Sequence, residues 1–191
     1  MKLVLASSSP RRQELLERAG FEFEVCSSGA EEVPRGGESA EDFACRAARE
    51  KALAVAGLSR PDSLVLGADT VVLIDGLILG KPSDPEDASR MLRMLSGSTH
   101  RVVTGVCLVQ APGEILAVAH ETTTVKFRDL EEAEILDYVA SGEPMDKAGA
   151  YAIQGLASRF VTRIEGCYFN VVGLPVPIVY DLLKPLLKLN H

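Results

Sequence analysis

Apolar and polar positions along the chain fall into short blocks that predict a mixture of strands and helices. Leu3-Val4-Leu5-Ala6 is a continuous apolar run and reads as a short buried strand. A helix follows from Pro10 to about Ala19, stopped by Gly20, and Phe21 to Cys26 alternates like a second strand. Ser27 to Glu38 is a polar, Gly- and Glu-rich loop. Ser39 can cap a helix that runs to about Ala56, with Asp42 at its third position. Ser63 to Leu66 and Thr70 to Ile74 read as two strands, the second turning at Asp75-Gly76 into Leu77 to Leu79. Asp84-Pro85 opens a helix that Gly97 ends. Val102 to Gln110 and Ile115 to Phe127 are two long strands joined at Ala111-Pro112-Gly113. Asp129, with Glu132 three residues on, starts a helix ending near Gly142. Arg163 to Val172 is strand-like, and Pro177 to Leu189 is a closing amphipathic helix.

Hairpins beside strand–helix units predict an α/β (mixed α+β) domain with a mixed sheet, not a purely parallel doubly wound one. The 191 residues fit a single domain, 1–191, with room for two lobes around a cleft. Hydrophobic residues make up 47% and aromatics 5%, with no Trp, so an aliphatic core is expected. The net charge of -7 disfavours nucleic-acid binding, which needs a basic face, and leaves a polyphosphate possible only at a local positive cluster. No apolar run is long enough for a signal peptide or a membrane span, so a cytoplasmic protein is expected. Cys26, Cys45, Cys107 and Cys167 lack the close pairing of zinc ligands and read as buried reduced thiols. Neither a Walker loop nor a dinucleotide GxGxxG occurs.

The positive cluster is sought first at Ser7-Ser8-Ser9-Pro10-Arg11-Arg12, where a strand hands over to a helix. Ser9 can cap and Pro10 suits the first helical position. Two arginines in a first turn oppose the helix dipole unless an anion is present. Serine hydroxyls, open backbone N–H groups and guanidinium forks together make a phosphate receptor; the alternative is a capped surface helix with solvated arginines. Asp69 is a lone carboxylate in the apolar run Leu64 to Leu73, and should face a cation, a donor network or a cleft. It could serve as a general base, a metal ligand or the cap of a turn after Gly67. Lys81 is held between Gly80 and Pro82, where it could reach a phosphate. Arg46, Arg49 and Lys51 read as solvated positions on the Ser39 helix. Glu31 and Glu32 lie in the polar loop, where a metal–triphosphate would give one of them a use. Small residues flank Lys147 and Gln154, and Gln154 offers a donor and an acceptor to a base edge. Gly166 and Asn170 to Pro175 read as structural punctuation, and His100, His120 and His191 as structural or exposed.

These stretches, together with Glu50-Lys51-Ala52, Gly67-Ala68-Asp69-Thr70-Val71, Gly80-Lys81-Pro82, Thr104-Gly105, Lys147 to Tyr151, Ile153-Gln154-Gly155 and Asn170 to Pro175, span almost the whole chain. In them the chain resembles the Maf family of nucleoside triphosphate pyrophosphatases. The resemblance implies an ITPase-like fold, with a long mixed β-sheet and two lobes flanking an active-site cleft. It also implies hydrolysis between the α- and β-phosphates with a divalent metal cation, Mg2+ or Mn2+, in a cytoplasmic homodimer. Carried over by position, Asp69 is the catalytic base. Ser7, Ser9, Arg12, Lys51 and Lys81 handle phosphate, and Glu32, with Asp69, lies near the metal. Arg11, Thr70 and Gln154 match the branch acting on dTTP and UTP. The branch acting on 7-methyl-GTP carries an aromatic, a Gln and an acidic residue there.

The implied mechanism is electrostatic positioning: Asp69 activates a water while basic residues and the metal stabilise the departing pyrophosphate. An exposed Asp, with a pKa of about 4, is a weak base, so activation must come from the metal or from burial. Rival readings are a 7-methyl-GTP or purine house-cleaning pyrophosphatase, a phosphatase releasing orthophosphate, and a non-catalytic regulator of division or septum formation.

Overall fold

The computed structural model describes residues 1–29 and 33–187. Glu31 and Glu32 lie outside them, as do Lys188 and Leu189 at the end of the stretch expected to form the closing helix. The elements in chain order are β1 (Leu3–Leu5), α1 (Pro10–Arg18), β2 (Phe23–Val25), α2 (Ala40–Ala56), β3 (Leu64–Ile74), β4 (Leu77–Leu79) and α3 (Pro85–Leu95). There follow β5 (Thr99–Gln110), β6 (Glu114–Phe127), α4 (Glu132–Ala140), β7 (Val161–Glu165), α5 (Tyr168–Val172) and α6 (Val176–Leu183). Three short 3-10 turns, Glu143–Asp146, Ala148–Ala150 and Leu156–Phe160, lie between α4 and β7.

The seven strands form one mixed sheet in the order β2-β1-β3-β5-β6-β7, with β4 paired to β3. β1 runs parallel to both β2 and β3, whereas β3–β4 and β6–β7 are antiparallel. By compactness the chain divides into two units. The first comprises Met1–Asp69, Thr104–Glu121 and Gly173–His191, and the second Thr70–Val103 and Thr122–Val172. β3, β5 and β6 each contribute residues to both.

The first unit has the expected aliphatic core, in which Val4, Ala6, Ala48, Ala52, Val55, Val65, Cys107 and Val109 pack together. α2 lies unusually close to the sheet. A Cβ on Gly67 of β3 would fall under 3.0 Å from atoms of Ala48 and Ala52, and one on Gly105 of β5 would do the same to Ala44 and Cys45. Ala44, Ala48 and Ala52 recur every four residues, and with side chains this small the helix backbone itself meets the two glycines, Ala48 O and Ala52 N at Gly67 and Ala44 C and O at Gly105. This contact explains why residues 64–74 form one strand and not two: Gly67 is a site of close approach, not a break.

The second unit departs from the aliphatic expectation. Phe127, Tyr138, Tyr151 and Phe160, four of the chain's ten aromatics, form edge-to-face and tilted pairs there with His100 among them. Buried His100 shares a hydrogen bond of 2.8 Å with the Tyr151 hydroxyl, and burial lowers its pKa to about 4.

Side-chain caps start α2 and α3. Ser39 accepts from the Asp42 amide at 3.0 Å and Asp84 from the Asp87 amide at 2.8 Å. The β3–β4 turn places Asp75 and Gly76 at φ 48° and 78°, as a tight hairpin requires. Two expectations need correction. The cap of α4 is Glu131 and not Asp129, because Glu134, three residues after Glu131, accepts from its amide at 3.1 Å and closes a capping box, while Glu132 pairs with Arg93. The strand-like stretch 163–172 is β7 followed by α5, since Gly166 at φ 118° ends the strand.

Candidate active site

Within the first unit, β1 leads directly into the Ser7–Arg12 segment. The Ala6 amide donates to Leu66 O at 2.8 Å, extending the β1–β3 ladder to the edge of that segment. Ser7 is buried, and its Oγ accepts from the Ser9 amide at 3.2 Å and from Arg12 Nη1 at 3.2 Å. Arg12 Nε donates to Gly173 O at 2.8 Å. Arg12 is therefore buried and oriented, not a solvated arginine. Ser9 stands at the N-cap of α1 with Pro10 behind it, yet its side chain makes no capping bond. Ser7 ties that turn instead, a serine closing on a backbone N–H two residues ahead. Arg11 is half-buried.

Close packing of α2 sets the second feature. Lys51, on the last turns of α2, donates from Nζ to Asp69 Oδ1 of β3 at 2.6 Å. Lys51 is 6% exposed and Asp69 3% exposed, so the pair is enclosed. The sequence-based reading of Lys51 as solvated is thus corrected: α2 turns it inward, and Asp69 is the opposite charge that makes its burial tolerable. A lone carboxylate in a buried strand needed a cation or a donor network, and Lys51 supplies both.

Arg46 is not solvated either. Its guanidinium donates to both Glu38 oxygens at 2.7 and 2.8 Å, to Glu50 Oε2 at 3.1 Å and to Val33 O at 3.0 Å, while covering the Phe43 ring. The hydrogen bonds from Arg46 lower the Glu38 pKa to about 2. Only the Arg46–Glu50 spacing of four was visible locally. Arg49 is exposed, as expected.

The second unit holds Thr70, half-buried on β3, and exposed Lys81 and Gln154. The Gly149 amide donates to Gly80 O at 2.9 Å, which ties the Lys147–Tyr151 segment to the residue before Lys81. Gly149 presses on Val72, and the next residue, Ala150, adopts φ 59°, a left-handed conformation rare for a residue with a Cβ. Lys147 Nζ donates to Glu143 O at 3.1 Å and pairs with Asp146.

Asn170 is more than turn punctuation. It is fully buried on α5 and donates to Val102 O at 2.9 Å and to Thr123 Oγ1 at 3.0 Å. The four cysteines are free, but only Cys107 is buried and the other three are half-buried. Burial pushes the Cys107 thiol up to about 11. His120 is exposed, and His191 lies outside the described residues.

For a divalent cation, Asp69 is the hard oxygen donor that these residues offer. Among the described residues no three His, Cys, Asp or Glu side chains gather as a cage. A single enclosed carboxylate fits an ion such as Mg2+ that binds through one or two carboxylates and the substrate's phosphates.

Residues 2–186 match the model of the family described as Maf-like protein. The chain belongs to the Maf family. Several relatives carry the name dTTP/UTP pyrophosphatase. That of Pelotomaculum thermopropionicum is 51% identical over 183 residues, covering 96% of this chain and 95% of its own. That of Koribacter versatilis is 53% identical over 184 residues, covering 96% and 94%. That of Geobacter sulfurreducens is 52% identical over 184 residues, covering 96% of each. Among solved structures, a nucleoside-triphosphatase / dITP/XTP pyrophosphatase from Mycobacterium abscessus is similar with a TM-score of 0.40 and 22% identity, over 68% of this chain and 76% of that one. No helix among the described residues is long and apolar enough to cross a membrane.

Proposed function

We propose that this Maf family chain hydrolyses dTTP and UTP to the nucleoside monophosphate and pyrophosphate, working as one catalytic domain over residues 1–191. The observation that carries the hydrolytic reading is the enclosed Lys51–Asp69 pair, a carboxylate and an ammonium fixed at 2.6 Å. The names of the relatives, with Arg11, Thr70 and Gln154 in this chain, support the pyrimidine preference.

Asp69 orients a water and takes its proton as the water oxygen bonds to the α-phosphorus. The bond from the α-phosphorus to the bridging oxygen breaks, and pyrophosphate leaves with the electron pair. Lys51 fixes the direction of the carboxylate. Arg12, held by Ser7 and Gly173 O, is pre-oriented for phosphate, and Ser7, Ser9, Lys51 and Lys81 add donors and positive charge for the developing pyrophosphate. Orientation set before substrate arrives lowers the reorganisation needed at the transition state. A divalent cation, Mg2+ or Mn2+, held by Asp69 and Glu32 with the triphosphate, would supply charge neutralisation and a more acidic water. Gln154 pairs with the amide edge of thymine or uracil, and Arg11 and Thr70 complete the base preference. The free cysteines suit a reducing, cytoplasmic setting, and a homodimer is the expected assembly.

Product analysis with dTTP, UTP, 7-methyl-GTP and ITP tests the proposal. The expected result is pyrophosphate release, with kcat/KM for dTTP and UTP at least about tenfold above the two purine nucleotides, the scale of a lost base-edge contact. Orthophosphate as the product, or a preference for either purine nucleotide, overturns it.

A further inference from the structure

Glu143 takes no part in the reaction above, yet its carboxylate is fully engaged. Its Oε1 accepts from the Tyr138 hydroxyl at 2.9 Å, and its Oε2 accepts from the Leu156 amide at 3.1 Å. The Tyr138 oxygen accepts in turn from the Ala152 amide at 3.2 Å. The two captured amides bracket a turn, residues 152–156, that the Gly155 amide closes on Ala152 O at 3.0 Å. Gly155 makes room for the brace, because a Cβ there would fall under 3.0 Å from the Glu143 carboxylate. Tyr138 is itself fully buried and edge-on to Phe160, so the brace is anchored in the aromatic core.

The turn reads Ala-Ile-Gln-Gly-Leu, and its one polar side chain is the exposed Gln154. Fastening both ends of so short a segment removes backbone freedom before any ligand arrives, so less ordering is needed on binding. The Leu156 amide meets a carboxylate, a bond of the strong kind, and the Ala152 amide meets the phenol that this carboxylate holds, which suits a turn that lacks a strand or long helix of its own.

We propose that Tyr138 and Glu143 are positioning residues that hold the 152–156 turn so that Gln154 meets the nucleobase edge. They govern discrimination between pyrimidine bases and leave the phosphate chemistry alone. The inference rests on the reading of Gln154 as the base-contacting residue.

The test compares Glu143→Gln, Tyr138→Phe and Gln154→Ala in the full chain. The readouts are kcat and KM for dTTP and dCTP, inhibition by inorganic tripolyphosphate, and melting temperature. Glu143→Gln replaces one acceptor with a donor, and Tyr138→Phe deletes one oxygen without changing shape. Each is expected to raise KM for dTTP about tenfold, with kcat nearly unchanged and the dTTP-over-dCTP ratio lowered. Tripolyphosphate inhibition stays as in the parent. In the Gln154→Ala background, Glu143→Gln adds no further loss of discrimination. An unchanged ratio in Glu143→Gln and Tyr138→Phe, with a lowered ratio in Gln154→Ala, overturns the positioning role alone. An unchanged ratio in Gln154→Ala overturns the base-contact reading and the brace's purpose with it. An equal loss for dTTP, dCTP and tripolyphosphate reduces the brace to general support and also overturns the proposal. Should Glu143→Gln fail to fold, Tyr138→Phe decides by the same criteria.

Discussion

Lys51 Nζ and Asp69 Oδ1 meet at 2.6 Å although the residues stand 18 positions apart, one on α2 and one on β3. Each is the partner that makes the other's burial tolerable. Lys51→Met should therefore destabilise the chain by about 3–5 kcal/mol, because it strands a buried carboxylate. The double variant Lys51→Met/Asp69→Leu should recover much of that loss while remaining inactive. Urea unfolding and pyrophosphate release measure the two effects, and a double variant no more stable than Lys51→Met would argue against the pairing.

Asp69→Asn keeps the shape and removes the base. Pyrophosphate release from dTTP should fall by about 10²–10⁴-fold, the range for loss of a positioned general base. Near-normal release would remove Asp69 from the mechanism.

Gly67 and Gly105 let α2 lie close enough for Lys51 to reach β3. Gly67→Ala or Gly105→Ala must push the helix away, with a loss of about 1–3 kcal/mol from overpacking. Turnover should drop as well, since Lys51 moves with α2. Thermal melts paired with kcat check this, and full activity in a destabilised variant would separate helix spacing from the site.

His100 makes stability depend on pH. Its folded pKa, about 4, lies below the ordinary 6.5, so the unfolded chain takes up the proton first as pH falls. The stability contribution is intact above the unfolded value and is lost as pH falls from 6.5 towards 4. Between about pH 7.5 and 5 the loss should be about 2 kcal/mol. His100→Gln should flatten that slope in urea titrations, and an unaltered slope would assign the acid sensitivity elsewhere.

Base choice should respond to charge at one position. Gln154→Glu should lower kcat/KM for dTTP and UTP about tenfold and raise the relative turnover of 7-methyl-GTP, whose ring is cationic. Steady-state kinetics with the three nucleotides decide it; an unchanged ranking would free Gln154 from that role.

Local chemistry made most of the element pattern legible. Ser39 and Asp84 cap the helices they were expected to cap, and Asp75-Gly76 turns the expected hairpin. What failed was whatever depended on a distant neighbour. Gly67 reads as a strand break until α2 is laid against it. Lys51 and Arg46 read as solvated because their partners, Asp69 and Glu38, belong to other segments. Ser9 was the natural cap, but buried Ser7 closes the turn it should have closed. The Tyr138–Glu143 brace left one local trace, Gly155, whose missing side chain is explained only by a carboxylate 12 residues away. Arg12 and Asp69 stood out as candidates because each broke a local rule, an arginine at a helix start and a charge in an apolar strand.

The chain passes from one unit to the other at four points, three of them inside β3, β5 and β6. A single cut therefore liberates neither half, and neither can be exchanged as a cassette without severing strands. Changes in this chain must arrive residue by residue or through loops, a constraint on grafting and recombination as much as on natural divergence.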